Sequence, residues 1–166
     1  GVALSVAADE PAPEFDVHCA LLSVPRVLRT TVESVPVDVP YLFPSAARVA
    51  SPATGPGVSR DGLRIGLVWA SQSMFPGAAL KSVPLDALAA LRGMPDVNFY
   101  SLQVGEAGRP ALLAGAPIPI GDLTRGIQDF SDTAALIADL DLTISVDTAV
   151  AHLAGAGFDT NHFALY

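Results

Sequence analysis

The sequence predicts an α/β domain, a parallel sheet with helices on both faces, and three observations carry that expectation. From residue 63 onward, β-rich apolar runs alternate with helical periods across short loops, the order that builds a parallel sheet. The run LRIGLVWA (63–70) is apolar nearly throughout, as a strand buried on both faces must be. Hydrophobic residues make up 51% of the 166, enough for a substantial core in one domain without cross-links.

Taken in order, Phe15–Leu22 reads as a short apolar strand, and a proline-punctuated stretch runs from Pro25 to Pro40. Residues 44–62, rich in Pro, Gly, Ser and Ala without an apolar period, read as a linker between residues 1–43 and residues 63–166. Leu63–Ala70 is then a strand, and Pro84–Leu91 a short helix with Pro near its first turn and leucines at 85, 88 and 91. Val97–Gln103 is a second strand, Glu106–Ala114 a weak helix and Ile118–Ile120 a short strand. Ser131 or Asp132 caps a helix through Leu140. Leu142–Val146 is the last clear strand, with a helix over Thr148–Ala156 behind it. The ending GFDTNHFALY offers no obvious next strand, and His162 in it belongs to no motif.

Composition excludes several functions. A formal charge of −8 and a pI near 4.5 argue against nucleic acid and anionic membrane surfaces, which need a basic face. No apolar run approaches the roughly 18–20 residues of a membrane span. The start, GVALSVAADEP, has no basic region and does not read as a signal peptide, and its missing Met reads as a chain beginning mid-protein. A lone cysteine, Cys19, suits a reducing compartment, so the expectation is cytoplasmic. Lys81 is the only lysine, so an anionic ligand must rely on backbone amides, helix N-termini and a few chosen side chains. No G-x-G-x-x-G follows a strand, which sets a dinucleotide-dependent dehydrogenase aside.

The segment from Ile144 to Ala156 is the most informative. A buried strand ends at Val146 and a small-residue helix follows at once. Asp147 stands at the N-cap position, Thr148 offers a hydroxyl and an amide at the first turn, and His152 lies four residues beyond Thr148 on the same helical face. A helix start at a strand's carboxyl end is an anion site by geometry. Ordinary capping by Asp and Thr, with a packed or solvated His, explains the same residues.

The run DLTISVDTAVAHLAGA (141–156) resembles the donor-site motif of the bacterial lipopolysaccharide heptosyltransferases (glycosyltransferase family 9). It is more similar still to the glycosyltransferase-like domains that follow tetratricopeptide repeats, the bacterial relatives of O-GlcNAc transferase. FDVHCALLSVPRVLRTTVESVPVDVPYL, GLRIGLVWA, KSVPLDALAAL, FYSLQVG and DFSDTAALIADLD agree with the family in order and spacing, from about Phe15 to Ala156. The resemblance implies a Rossmann-like half of a GT-B fold, truncated: residues 1–43 a remnant of the N-terminal domain, residues 63–166 the nucleotide-sugar-binding domain, incomplete at its C-terminus. It implies a UDP- or ADP-sugar donor, an acceptor it does not identify, inverting transfer, no cofactor and no metal site, and it allows tetratricopeptide repeats upstream.

Carried over residue by residue, the resemblance sets Asp147, Thr148, Ala149 and His152 at the donor diphosphate. An Asp repels a diphosphate, so Asp147 caps the helix, orients His152 or meets ribose or a metal. Lys81 neutralises the diphosphate, with Ser71 or Ser73 of the loop 71–80 as further contacts. Gln103, Asp129 and Phe130 line the nucleoside pocket. His18 either faces an inter-domain cleft as the catalytic base or is a satisfied core histidine, and Cys19 packs. Fewer than about 60 residues precede the linker, too few for the acceptor-binding domain of a full transferase. The expectation is therefore a donor-binding piece that transfers no sugar by itself, with a non-catalytic nucleotide-binding or scaffolding module as the alternative.

Overall fold

The computed structural model describes residues 4–7, 9–35, 38–43, 59, 61–71, 78–108, 113–157 and 161–165. The chain divides into two units, residues 1–37 and 38–166. The expected linker lies almost entirely outside the described residues.

The second unit holds one sheet of five parallel strands: β1 (Leu63–Val68), β2 (Val97–Ser101), β3 (Ile120–Asp122), β4 (Leu142–Val146) and β5 (Asn161–Leu165). Their order is β3-β2-β1-β4-β5, and each neighbouring pair is parallel. The chain thus winds outward from β1 through β2 to β3, then returns to the other side of β1 for β4. That reversal is the topological switch point of an open α/β sheet.

Both faces are covered. On one, Val68, Tyr100 and Leu102 pack with Ile137 and Leu140 of the α2 region and Ala154 of α3, where α2 is Phe130–Ala138 and α3 is Ala149–Gly157. On the other, Ile65, Leu67, Trp69 and Phe99 pack beneath Leu85, Leu88 and Leu91. Alternate β1 residues therefore serve opposite faces, which is why the strand reads as continuously apolar. Gly66 is where the first face comes closest: a Cβ there would stand 2.6 Å from Leu140 Cδ1 and 2.9 Å from Leu102 Cδ1. The small residue lets both leucines seat on the strand.

Several elements differ from expectation. Residues 85–91 form a 3-10 helix that starts after Pro84 rather than an α-helix. The strand expected at Ile118–Ile120 lies at Ile120–Asp122, and of the weak helix expected over Glu106–Ala114 the described residues are a 3-10 turn at Glu106–Gly108 and helical Leu113 and Ala114. The cap of α2 is Asp129, not Ser131 or Asp132. Its carboxylate accepts from Ser131 N (2.8 Å) and Asp132 N (3.0 Å), while Asp132 accepts from Asp129 N, a reciprocal box that satisfies three helix-start donors. The C-terminal residues do supply a strand. β5 pairs with the outer edge of β4, Leu142 opposite Asn161 through Val146 opposite Leu165. Ladder pairing uses backbone groups, so a run without a clear side-chain pattern can still complete a sheet edge.

In the first unit, Leu21–Ser23 is a 3-10 turn running into α1 (Val24–Val27), and Val32–Ser34 is another 3-10 turn, boxed by Thr31 and Ser34. The strand expected at Phe15–Leu22 is absent from the described residues of this unit. Residues 15–20 form neither helix nor strand, and only Leu21 and Leu22 enter the 3-10 turn that leads into α1, which carries Pro25 in its first turn.

Candidate functional site

The carboxyl ends of β1 and β4 flank the switch point, and the backbone after β1 is tied down from both sides. Gln103, 2% exposed, accepts with one side-chain oxygen from Trp69 N (3.1 Å) and Ala70 N (2.8 Å). From above, Val83 N donates to Trp69 O (2.7 Å) and Ser71 N donates to Ser82 Oγ (3.0 Å). These bonds clamp residues 82–83 onto the end of β1. Lys81, the last residue of the 3-10 turn Ala78–Lys81, is carried with them to the crevice.

Lys81 Nζ reaches Asp147 Oδ2 at 2.5 Å, joining residues 66 apart in sequence across the β1–β4 junction. The other oxygen, Asp147 Oδ1, lies 3.6 Å from His152 Nε2. That is within ion-pair range when the imidazole is protonated but too long for a hydrogen bond. The Asp147 carboxyl is held below the ordinary value of 3.8, first by the Lys81 hydrogen bond and charge and less by His152. Asp147 therefore serves the Lys81 ammonium and faces the His152 ring rather than capping the helix.

The start of α3 is left to the backbone. Thr148 O accepts from Ala151 N (3.0 Å) and His152 N (3.4 Å), the first bonds of the helix. The N–H groups ahead of them have no acceptor within the helix and mark its positive end. Thr148 Oγ1 lies 3.0 Å from Ser145 Oγ, and Ala149 is exposed at the first turn. The arrangement joins Lys81, Asp147, His152 and a helix N-terminus at the carboxyl end of a parallel sheet.

Lys81, Asp147, Thr148, Ala149 and His152 thus gather in one place. Gln103 ends beside β1 but spends its carboxamide on the backbone, with Nε2 donating to Val104 O at 3.3 Å. Asp129 is the α2 cap, and Phe130 beside it is 61% exposed. Ser71 is tied to Ser82, and Ser73 lies outside the described residues. His18 belongs to the first unit, where it is exposed and meets the Phe15 ring edge-on at 5.9 Å. Cys19 is an exposed free thiol. A cavity of about 630 Å³ opens at the amino ends of β2 and β3, lined by residues such as Leu91, Arg92, Met94 and Ile120. None of the expected site residues lines it. Among the described residues, no three of His, Cys, Asp and Glu gather as a metal-ligand set, and no helix is long and apolar enough to cross a membrane.

Sequence reasoning missed two contributors. Ser145 sits beside Thr148, and its signal was a hydroxyl that, like Thr143, lies inside a buried strand. Trp69, the single tryptophan, is buried at the end of β1 beside the crevice and reports on it by fluorescence. One consequence is testable there. Replacing Gln103 by Leu leaves the Trp69 and Ala70 N–H groups without their acceptor, and the expected loss of stability is about 2 kcal/mol. Urea unfolding followed by Trp69 emission measures it, and an unchanged midpoint would mean the carboxamide carries no structural load.

The fold and this cluster define a Rossmann-like α/β domain with a lysine–aspartate pair and a helix N-terminus at its switch point. Over 146 residues the chain is 30% identical to the protein FlbA of Caulobacter vibrioides, an alignment covering 86% of this chain and 24% of that protein. The chain thus spans about a quarter of the length of the curated relative it matches. No protein-family model matches the chain, and no solved structure matches it.

Proposed function

We propose that this chain binds the diphosphate of a nucleotide sugar at the β1–β4 switch point, as the donor-binding part of a GT-B glycosyltransferase of the type its motifs resemble. The observation that supports this best is Lys81 crossing the junction to Asp147 beside the N-terminus of α3. Lys81 and the first amides of α3 supply positive charge, and His152 a ring N–H, where a diphosphate leaving group gains negative charge, and that charge is stabilised more in the transition state than in the ground state. In a chain with one lysine, these groups substitute for the missing basic surface.

Binding and transfer separate in this reading. Transfer needs an acceptor and a base held opposite the donor, and positioning is a large part of the rate. His18 is exposed, with a ring contact but no hydrogen bond to orient it among the described residues, so it is a poor base as it stands. The expected result is a chain that binds donor without turning it over. A thermal-shift panel of nucleoside diphosphates and their sugars tests the binding: a ligand at 100 times its Kd adds about 2.7 kcal/mol of stability. No shift from any of them, at millimolar concentration, would remove the donor-site reading.

A further inference from the structure

Ser145 is 1% exposed on β4, two residues before Asp147. Its hydroxyl donates to Val146 O at 2.8 Å, and its Oγ lies 3.0 Å from Thr148 Oγ1. A hydroxyl carries one proton and two lone pairs. With the Ser145 proton on Val146 O, the contact between the two hydroxyls closes when Thr148 is the donor. Thr148 then has its proton taken up by Ser145 and offers only lone pairs to any other group that reaches it.

We infer that Ser145 is a positioning residue that makes the Thr148 hydroxyl an acceptor in the donor site. The inference rests on the nucleotide-sugar reading and sharpens it. Thr148 takes a hydrogen bond from a hydroxyl of the ligand's sugar or ribose, and the phosphate oxygens are left to Lys81 and the α3 amides. Lone pairs facing lone pairs repel, so a hydroxyl held this way disfavours a phosphate oxygen and favours a ligand O–H. The pair thereby distinguishes an intact nucleotide sugar from bare diphosphate at a position that looks, from sequence, like a phosphate contact.

The test uses inorganic pyrophosphate, which carries the diphosphate without any sugar hydroxyl. Its affinity is measured by calorimetry for the wild type, Ser145→Ala, Ser145→Ala/Thr148→Val and Lys81→Met, with Trp69 emission and thermal melting confirming that each variant is folded. In Ser145→Ala the Thr148 proton is released to the crevice, and pyrophosphate is expected to bind roughly tenfold more tightly, the worth of one hydrogen bond to a charged group. The double variant loses that gain. A merely structural serine gives no gain in affinity when removed. If Ser145→Ala binds pyrophosphate no more tightly than the wild type while Lys81→Met still weakens it, the inference fails and the donor site stands. If the wild type binds pyrophosphate no more tightly than Lys81→Met, both fail together.

Discussion

Replacing Asp139 by alanine is expected to cost about 3 kcal/mol of stability, because it leaves a buried guanidinium without its counter-charge. Arg64 lies on β1 with 8% of its side chain exposed. Its Nη2 pairs with Asp139 Oδ2 at 2.9 Å, its Nη1 donates to Asp139 O, and its Cζ stands 5.7 Å from the Tyr100 ring centroid. Its Nε is buried without a partner among the described residues. The site is therefore already short of one hydrogen bond, and losing the carboxylate isolates the charge further. Asp139 is 25% exposed, which keeps the expected cost at the lower end for broken buried pairs. Replacing both residues, Arg64→Met with Asp139→Ala, is expected to recover most of the loss, since an apolar pair in place of a buried ion pair is often neutral. A double-mutant cycle by urea denaturation measures both quantities. A single-variant loss below about 1 kcal/mol would show that the Asp139 carboxylate matters little at that end of the sheet.

Lys81→Met is expected to weaken nucleoside diphosphate binding roughly thirtyfold, about 2 kcal/mol, with little change in the fold. Lys81 is half exposed, and among the described residues its side chain bonds Asp147 at the surface, so no core contact is lost. Two effects combine in the loss. The charge-assisted bond to phosphate disappears, and the Asp147 carboxylate, no longer neutralised, faces the incoming anion. Lys81→Met/Asp147→Asn should therefore bind better than Lys81→Met alone, a non-additivity that titration calorimetry resolves. The pair also sets an acid limit. The Asp147 carboxyl titrates below 3.8 in the folded chain, so its contribution to stability is fully present above that pH and is lost as pH falls through the depressed folded value. Asp147→Asn should flatten the stability profile below about pH 4, and between pH 5 and 8 lower it by a constant amount without changing its slope. Equal binding by wild type and Lys81→Met would place the diphosphate elsewhere.

The core strands could be read from sequence because their burial leaves a mark: Leu63–Val68 is apolar but for Arg64, Leu142–Val146 alternates apolar residues with the small hydroxyls Thr143 and Ser145, and a helix of small residues follows the second. The switch point follows from their order once both flank the same strand. What could not be read depends on backbone groups or on long-range partners. Gln103 was expected at the nucleoside, yet its partners are the Trp69 and Ala70 N–H groups, which every residue but proline carries and no motif announces. Asp147 stood at an N-cap position by local pattern. Its actual partner, Lys81, comes from the loop after another strand, and only the fold brings the two within 2.5 Å. Phe15–Leu22 failed as a strand because β pairing is non-local: an apolar run becomes a strand when another strand is there to pair with it. β5 shows the converse, a plain run made into a strand by the edge of β4.

The most direct measurement is the amide ¹H–¹⁵N spectrum of the chain titrated with ADP and with UDP. The switch-point reading expects saturating shifts at Thr148–Ala151 and at Lys81–Val83, with Trp69 and Ala70 following, and near-silence at Arg92, Met94 and Ile120 around the cavity at the amino ends of β2 and β3. Shifts that saturate at that cavity, or no saturable shift with either nucleotide, would contradict it.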